Sequence, residues 1–224
     1  MKVIRTKDNS LTVYNEDYKE CYRALDGALT ESFNKFILPC KIKDNFKILD
    51  ICFGLGYNIA CSLSVAKNLK IISLEKEIPL IIQTLEVPKK IEKEYEILRK
   101  LAKELVHKDD SFNIKIILGN ATETIKSVNE KFDAIFLDPF SLRKNPELWQ
   151  VSFLKELKRR IKDKGILSTY STAVPVRSSL IEAGFKIGSL GNDFRGTTAS
   201  ISADLPPLKE KELKLLKVFY NPLY

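Results

Sequence analysis

Histidine is almost absent from this chain. The single copy, His107, lies between Val106 and Lys108 near the end of a charged stretch read as helix, with no nucleophile or ligand-forming neighbour beside it. That excludes a Ser-His-Asp or Cys-His nucleophile and any histidine-built metal centre, and His107 itself reads as an exposed bystander. Cysteine is sparse as well. Cys21, Cys40, Cys52 and Cys61 contain no CxxC pair, so they read as reduced, mostly buried thiols, and no metal is expected. No apolar run approaches the ~20 residues that cross a bilayer. The opening "MKVIRTKDNS" lacks the apolar core of a secretory signal. A soluble, cytoplasmic protein with no membrane partner is the expectation. Pro/Gly/Ser-rich linkers, low-complexity tracts and fixed-period repeats are also missing, so residues 1–224 are read as one unit.

Charge, by contrast, is plentiful and uneven. The formal net charge is +8, with 19 Lys/Arg against 17 Asp/Glu in residues 1–112 and 18 against 12 in residues 113–224. A basic second half fits a polyanionic partner. It also fits a lysine-rich solvated surface of the kind found in heat-adapted proteins.

From about residue 46 onward, buried strand-like runs alternate with amphipathic helical patterns, as in a parallel sheet covered on both faces. The strands are read at 46–53, 69–75, 113–119, 131–138 and 165–171, with helices at 58–68, 121–128, 146–162 and 174–184. Ile91, Tyr95, Leu98, Ala102 and Leu105 recur at helical spacing between the second and third strands. Two short β-prone runs, 185–190 and 197–202, suit an antiparallel pair at the sheet edge. Residues 9–37 read as a hairpin or extended piece leading into a helix.

The stretch "DICFGLGYN" (50–58) places Gly54 and Gly56 after the first strand without the third glycine of a dinucleotide fingerprint. The turn therefore suits a ligand that approaches closely at one point. Glu75 ends the second strand about 20 residues on, where an acid can accept both ribose hydroxyls. At the end of the third strand, "GNA" supplies Asn120 and Ala121. The Asn120 amide can pair with an adenine edge, and with Glu123 it equally makes a helix-start box. Together, "DICFGLG", Glu75 and "GNA" resemble the cofactor site of class I, Rossmann-like S-adenosylmethionine methyltransferases. That resemblance implies an α/β fold with a mostly parallel seven-stranded sheet, an antiparallel edge strand, and S-adenosyl-L-methionine held by Asp50, Gly54, Gly56, Asn58, Glu75, Asn120, Ala121 and Asp138.

The fourth strand runs into "AIFLDPFSLRKNPELW" (134–149). Asp138 stands at the carboxyl end of a strand, where open α/β sheets place ligand-facing residues, and Pro139 stiffens the turn after it. Phe140 offers a wall for a flat base, and Asn145-Pro146-Glu147 reads as a helix cap. With "GILSTYSTAVPVRSSLIEAGF" after it and "LTVYNEDYKECYRALDGAL" before the glycine turn, this run resembles the methyltransferase portion of the MnmC family of tRNA 5-methylaminomethyl-2-thiouridine biosynthesis proteins, over about residues 9–200. Asn120 stands where Asp is more usual in that family, and Pro139 where some members have Gly.

The resemblance implies one methyltransferase domain over residues 1–224, with residues 1–45 as an N-terminal extension over the site and 76–112 as a helical insertion. It implies N-methylation of 5-aminomethyl(-2-thio)uridine at the wobble position, with the tRNA anticodon region as partner. A separate enzyme would supply the aminomethyl group. Asp138 is the catalytic candidate, accepting hydrogen bonds from the acceptor amine and helping its proton leave. Tyr22, Asp26, Pro139, Phe140, Arg143, Lys144, Arg177 and Arg195 are the substrate-binding candidates, with Arg159 and Arg160 as further cations for phosphates. Tyr14, Tyr18 and Tyr22, four residues apart, read as an acceptor mouth or as packing, and Trp149 as a packed anchor. Another amine methyltransferase and a non-catalytic RNA-binding module are the alternatives. A polyamine-type aminopropyl transferase would want an acidic pocket, which the basic balance of the chain disfavours.

Overall fold

A computed structural model describes residues 2–224. The chain opens with a small antiparallel sheet of β1 (Lys2–Arg5), β2 (Leu11–Asn15) and β3 (Glu20–Cys21), then turns into the short helix α1 (Ala28–Ser32), which runs on as a wider turn over Phe33–Ile37. The Asp8 carboxylate ties these pieces together. It accepts hydrogen bonds from Thr6 Oγ1, Ser10 N and, across the start of the helix, Thr30 N at 2.8 Å. Burial alone would raise its pKa, but these bonds outweigh it and hold the carboxyl well below the usual range.

The core strands follow: β4 (Lys47–Ile51), β5 (Leu69–Glu75), β6 (Val106–Lys108), β7 (Phe112–Leu118), β8 (Phe132–Leu137), β9 (Ile161–Thr169), β10 (Lys186–Gly188) and β11 (Thr197–Ser200). They form one sheet in the order β10-β11-β9-β8-β4-β5-β7-β6. β9, β8, β4, β5 and β7 run parallel, while β6, β11 and β10 pair antiparallel at the two edges. The parallel α/β sheet agrees with the pattern in the sequence and contains one more strand than the seven expected. The addition is β6. The helix α3 (Glu92–Glu104) stops at Leu105, which takes a left-handed φ of 62°, and the chain turns back along β7, pairing His107 with Ile114. His107 is thus half-buried on an edge strand, 2.8 Å from Asp109, and not on a helix.

The helices α2 (Tyr57–Val65) and α3 cover one face, with Ile91, Tyr95, Leu98 and Leu101 fully buried against α2 and the turn before it. On the other face lie α4 (Ala121–Thr124), α5 (Val151–Arg160) and α6 (Val174–Glu182), around Trp149, Phe153, Leu157 and Leu180. The last helix, α7 (Glu210–Val218), packs on α6. The sequence pattern predicts a single helix over 146–162, but there is a 3-10 turn at Pro146–Trp149, then an extended Gln150, then α5. The break coincides with Val151 N–H donating to Leu223 O of the returning C-terminal chain. No helix among the described residues is long and apolar enough to cross a membrane.

β4 and β8 are neighbours whose crossovers leave in opposite directions, so the crevice of this doubly wound sheet opens beyond their carboxyl ends. The turn after β4 enters α2 with Gly54 at φ 53° and Gly56 at φ 78°. A Cβ at Gly56 would lie 2.8 Å from Leu98 Cδ1 and 3.0 Å from the Phe53 ring. The left-handed backbone and the packing of α3 both demand glycine there. Gly56→Ala is expected to destabilise the protein by about 2 to 4 kcal/mol, combining backbone strain and overpacking, measured as a lowered urea midpoint.

Candidate functional site

A cavity of about 860 Å³ occupies this crevice. Its floor is the turn after β4, its sides are the ends of β5, β7 and β8, and its roof is the N-terminal sheet, through Tyr18, Glu20, Tyr22 and Arg23. Two contacts attach that roof to the loop after β8. Glu20 accepts from Ser141 N at 3.0 Å and from Ser141 Oγ, and Tyr18 stacks on Phe140 with centroids 4.4 Å apart while Tyr22 tilts against the same ring at 5.2 Å. The two tyrosines reach the cavity from a turn and from the residue after β3. Tyr14 is not among the lining residues.

Asp138 follows β8 directly, and the side chain is buried. Its Oδ2 accepts a hydrogen bond from Asn58 Nδ2 at 2.8 Å and another from Arg23, with which it forms an ion pair. Ser32 closes a ring: it accepts from the second terminal nitrogen of Arg23 at 2.9 Å and donates to Asn58 Oδ1 at 2.8 Å. Beyond Arg23, the Glu31 carboxylate lies 3.2 Å from Nε, and Lys35 lies 2.9 Å from Glu31. The Arg23–Glu31 approach is an ion pair only, because Nε is not aligned for a hydrogen bond. Burial pushes the Asp138 carboxyl up to about 6 despite the opposing pull of Arg23. Burial also works against ionisation of Glu31, but Arg23 and Lys35 outweigh it and hold that carboxyl below its ordinary value. None of the hydrogen bonds among the described residues uses Asp138 Oδ1.

At the far end of the cavity, Glu75 accepts from Gly54 N at 2.8 Å with one oxygen and from Lys76 N and Glu77 N with the other. Burial raises its pKa and these backbone donors oppose the shift. Three donors leave acceptor capacity on an oriented carboxylate, which suits a ribose diol. Asn120 caps α4, its Oδ1 accepting from Thr122 N at 3.0 Å, and its amide Nδ2 has no partner among the described residues. Capping uses only the oxygen, so the amide remains available to a base edge. The residues at this end therefore fit a nucleoside, which Glu75 would hold with Asn120 and Ala121 beside it.

Several sequence-based assignments lie off the cavity lining or are engaged in other contacts. Asp50 lies beneath the floor rather than on the lining. It is 1 % exposed, accepts from Ser73 Oγ at 2.7 Å, has an unpaired Oδ1, and is pushed up to about 7 by burial. Asn58 has both ends of its amide committed to Ser32 and Asp138, so it supports Asp138. Arg177 is buried on α6, bonded to Thr197, Gly196 and, at 2.8 Å, Glu212, which removes it from any substrate surface. Arg160 is buried too, donating to Val128 O. Asp26 is exposed and paired with Lys7 outside the cavity. Arg143 is exposed and Lys144 half-buried on the loop after β8, between the lining residues Ser141 and Asn145, while Arg195 is exposed between β10 and β11, donating to Thr172 Oγ1; none of the three lines the cavity. Asn145 does not cap the 3-10 turn with its side chain. Its Oδ1 accepts from Phe140 N instead, bracing the wall formed by Pro139 and Phe140. Trp149 is a packed anchor, donating to Phe140 O.

Arg23, Glu31, Lys35 and Tyr170, which donates to Pro139 O at 3.0 Å, were missed from the sequence. A buried Arg beside "ALDGALTES" has no signature of its own until the chain closes. The electrostatics also differ from the expectation drawn from net charge. The cavity lining carries seven Asp or Glu and three Lys or Arg, so the pocket of this basic protein is acidic.

Residues 83–200 match the family model described as S-adenosyl-L-methionine-dependent methyltransferase. The crystal structure of MnmC2 from Aquifex aeolicus is similar over 96 % of this chain and 75 % of that one, with a TM-score of 0.87 and 36 % identity. An uncharacterized protein of Methanocaldococcus jannaschii is 35 % identical over 196 residues, covering 83 % of this chain and 54 % of that protein. The tRNA 5-methylaminomethyl-2-thiouridine biosynthesis bifunctional protein MnmC of Leptospira interrogans is 28 % identical over 207 residues, covering 81 % of this chain and 32 % of that protein. The chain thus spans about half of one of these curated relatives and about a third of the other. With the doubly wound sheet and these matches together, the chain belongs to the S-adenosyl-L-methionine-dependent methyltransferases, in the family that includes the Aquifex MnmC2.

Proposed function

We propose that the protein methylates the primary amine of 5-aminomethyl(-2-thio)uridine at the wobble position of tRNA, giving 5-methylaminomethyl(-2-thio)uridine. The observation that carries this reading is a buried, partly neutralised carboxylate, Asp138, facing an acidic cavity in a chain similar to MnmC proteins over most of its length. The partner is the tRNA anticodon region, the setting is the cytoplasm, and a preceding reaction has to install the aminomethyl group.

Bound S-adenosyl-L-methionine supplies a methyl group already activated on a sulfonium. Glu75 and Asn120, with the backbone of Gly54 and Ala121, would hold its nucleoside. The task left to the protein is to present a neutral amine in line, about 3 to 3.5 Å from the methyl carbon. Near neutral pH a primary alkylamine is largely protonated and cannot attack. An acidic cavity draws the cation in, and Asp138 Oδ1 then accepts a hydrogen bond from the amine, orients it and relays its proton towards water. Phe140, in contact with the rings of Tyr18 and Tyr22, makes with them an aromatic wall for the uracil. Arg143, Lys144 and Arg195 lie on loops where phosphates would pass.

The decisive experiment is incubation with labelled S-adenosyl-L-methionine and tRNA bearing aminomethyluridine, followed by digestion to nucleosides. Label in methylaminomethyluridine is expected, and label in any other nucleoside would overturn the assignment. Asp138→Asn is expected to lower kcat by about 100-fold or more, with donor affinity kept within a few-fold by calorimetry. Because the Asp138 pKa is raised to about 6 and the carboxylate form is the acceptor, activity should be present above that pH and fall as pH drops through it. Glu75→Gln removes the charged acceptor for the ribose and should weaken donor binding by roughly 10- to 100-fold. If surface cations bind the backbone, tRNA affinity should fall steeply and linearly on a log–log plot against salt, and a flat response would remove that role.

A further inference from the structure

We propose that Arg23 is a positioning residue for methyl transfer: it fixes the Asp138 carboxylate with Oδ1 towards the acceptor and offsets its charge, so that the incoming amine is oriented without being trapped as an ammonium ion. The inference rests on the function proposed above and names the device that lets the site work on an amine.

A bare carboxylate beside an alkylamine has a defect. It stabilises the protonated form, which has no lone pair. The structure contains a remedy in the N-terminal segment. Arg23 is not placed as an RNA-binding cation, since its side chain is only 5 % exposed. One terminal nitrogen goes to Asp138 Oδ2 and the other to Ser32, and Ser32 and Asn58 complete a closed ring that leaves Asp138 few orientations. A planar guanidinium can span those two partners at once, whereas a lysine ammonium is a point charge on a flexible stem. Oδ2 is occupied twice, which leaves Oδ1 for the substrate.

The other ionisable groups around Asp138 do not supply this charge. Glu31 and Lys35 come from the same segment as Arg23 and pair with each other, Asp50 and Cys52 come from β4 and its turn, and Tyr170 follows β9. Cys61 on α2 faces Arg23 itself. Glu75 and Glu20 line the same cavity. Lys35 also acts on Asp138 as a cation, but it is paired with Glu31 at 2.9 Å. Removing Arg23 therefore raises the proton affinity of Asp138, and any Asp138 that stays ionised binds the ammonium form more firmly. Both effects move the acid limb of activity in the same direction, to higher pH.

The test uses Arg23→Met and Arg23→Lys. In the free protein, the Asp138 side-chain carboxyl is titrated by carbon-13 NMR. Its midpoint is expected to move up by about one to three pH units in Arg23→Met, the span associated with losing an adjacent opposite charge, and to remain near the wild-type value in Arg23→Lys. With aminomethyl-bearing tRNA and saturating donor, the acid limb of kcat should follow the same order, so that at a fixed pH below the limb kcat falls about tenfold for every pH unit the limb moves up. KM for tRNA should change little in both variants. In Arg23→Lys, kcat should fall several-fold at all pH values, because the fork to Ser32 is lost while the charge remains. An unmoved Asp138 midpoint in Arg23→Met overturns the proposal whatever the substrate proves to be. Failure of the wild type to methylate this tRNA would count against the substrate and not against Arg23. Should Arg23→Met not fold, Arg23→Lys decides: a wild-type kcat, or a displaced midpoint, overturns the proposal.

Discussion

The buried contact between Arg23 and Asp138 joins the two halves of this protein. One partner belongs to the N-terminal segment and the other to the end of β8, 115 residues later. Neither charge is stable in the interior without the other, because desolvating an ion costs several kcal/mol that only a well-placed partner offsets. Closing the N-terminal sheet over the crevice and completing the site are therefore one event. Glu20 to Ser141, with Tyr18 and Tyr22 on Phe140, are further contacts across that seam. Asp50, beneath the floor with an unpaired oxygen and no ion pair among the described residues, is pushed higher still by burial, up to about 7.

Net charge and site charge have opposite signs here, and each suits a different length scale. The chain carries +8 overall, whereas its cavity lining is acidic. Surface cations act over roughly a Debye length of about 8 to 10 Å at physiological salt and suit a polyanion such as RNA. Carboxylates inside a low-dielectric crevice act on what enters it, and a sulfonium and an alkylammonium are both cations. An acidic pocket, which the basic composition by itself disfavours, is thus compatible with an RNA substrate whose reacting group is an amine.

Much of the site's location was legible in the sequence, because it depends on local order. "DICFGLG", Glu75, "GNA" and "LDPF" each end a parallel strand, and parallel strands place their carboxyl ends at one edge of the sheet. Once the alternation of buried runs and helical periods had identified those strands, Gly54, Glu75, Asn120, Asp138 and Phe140 had to converge, and all of them line the cavity. The glycines were legible as glycines but not in their reason: Gly56 is dictated by Leu98 and Phe53 packing on it.

Partnership was not legible, since it depends on contacts between segments far apart in the chain. Arg177 looked like a surface cation and is buried against Glu212; Arg23 carried no signal and lies beside Asp138; β6 hides in what reads as the tail of a helix until it pairs with β7. By itself the amino-acid order determined the strand sequence, and with it the edge at which chemistry occurs, because hydrophobic periodicity and strand-end residues are local properties. Which charge meets which, and so whether Asp138 faces the cavity as a free anion or as half of an ion pair, was decided only by the tertiary structure, because burial and electrostatic pairing arise when distant segments pack.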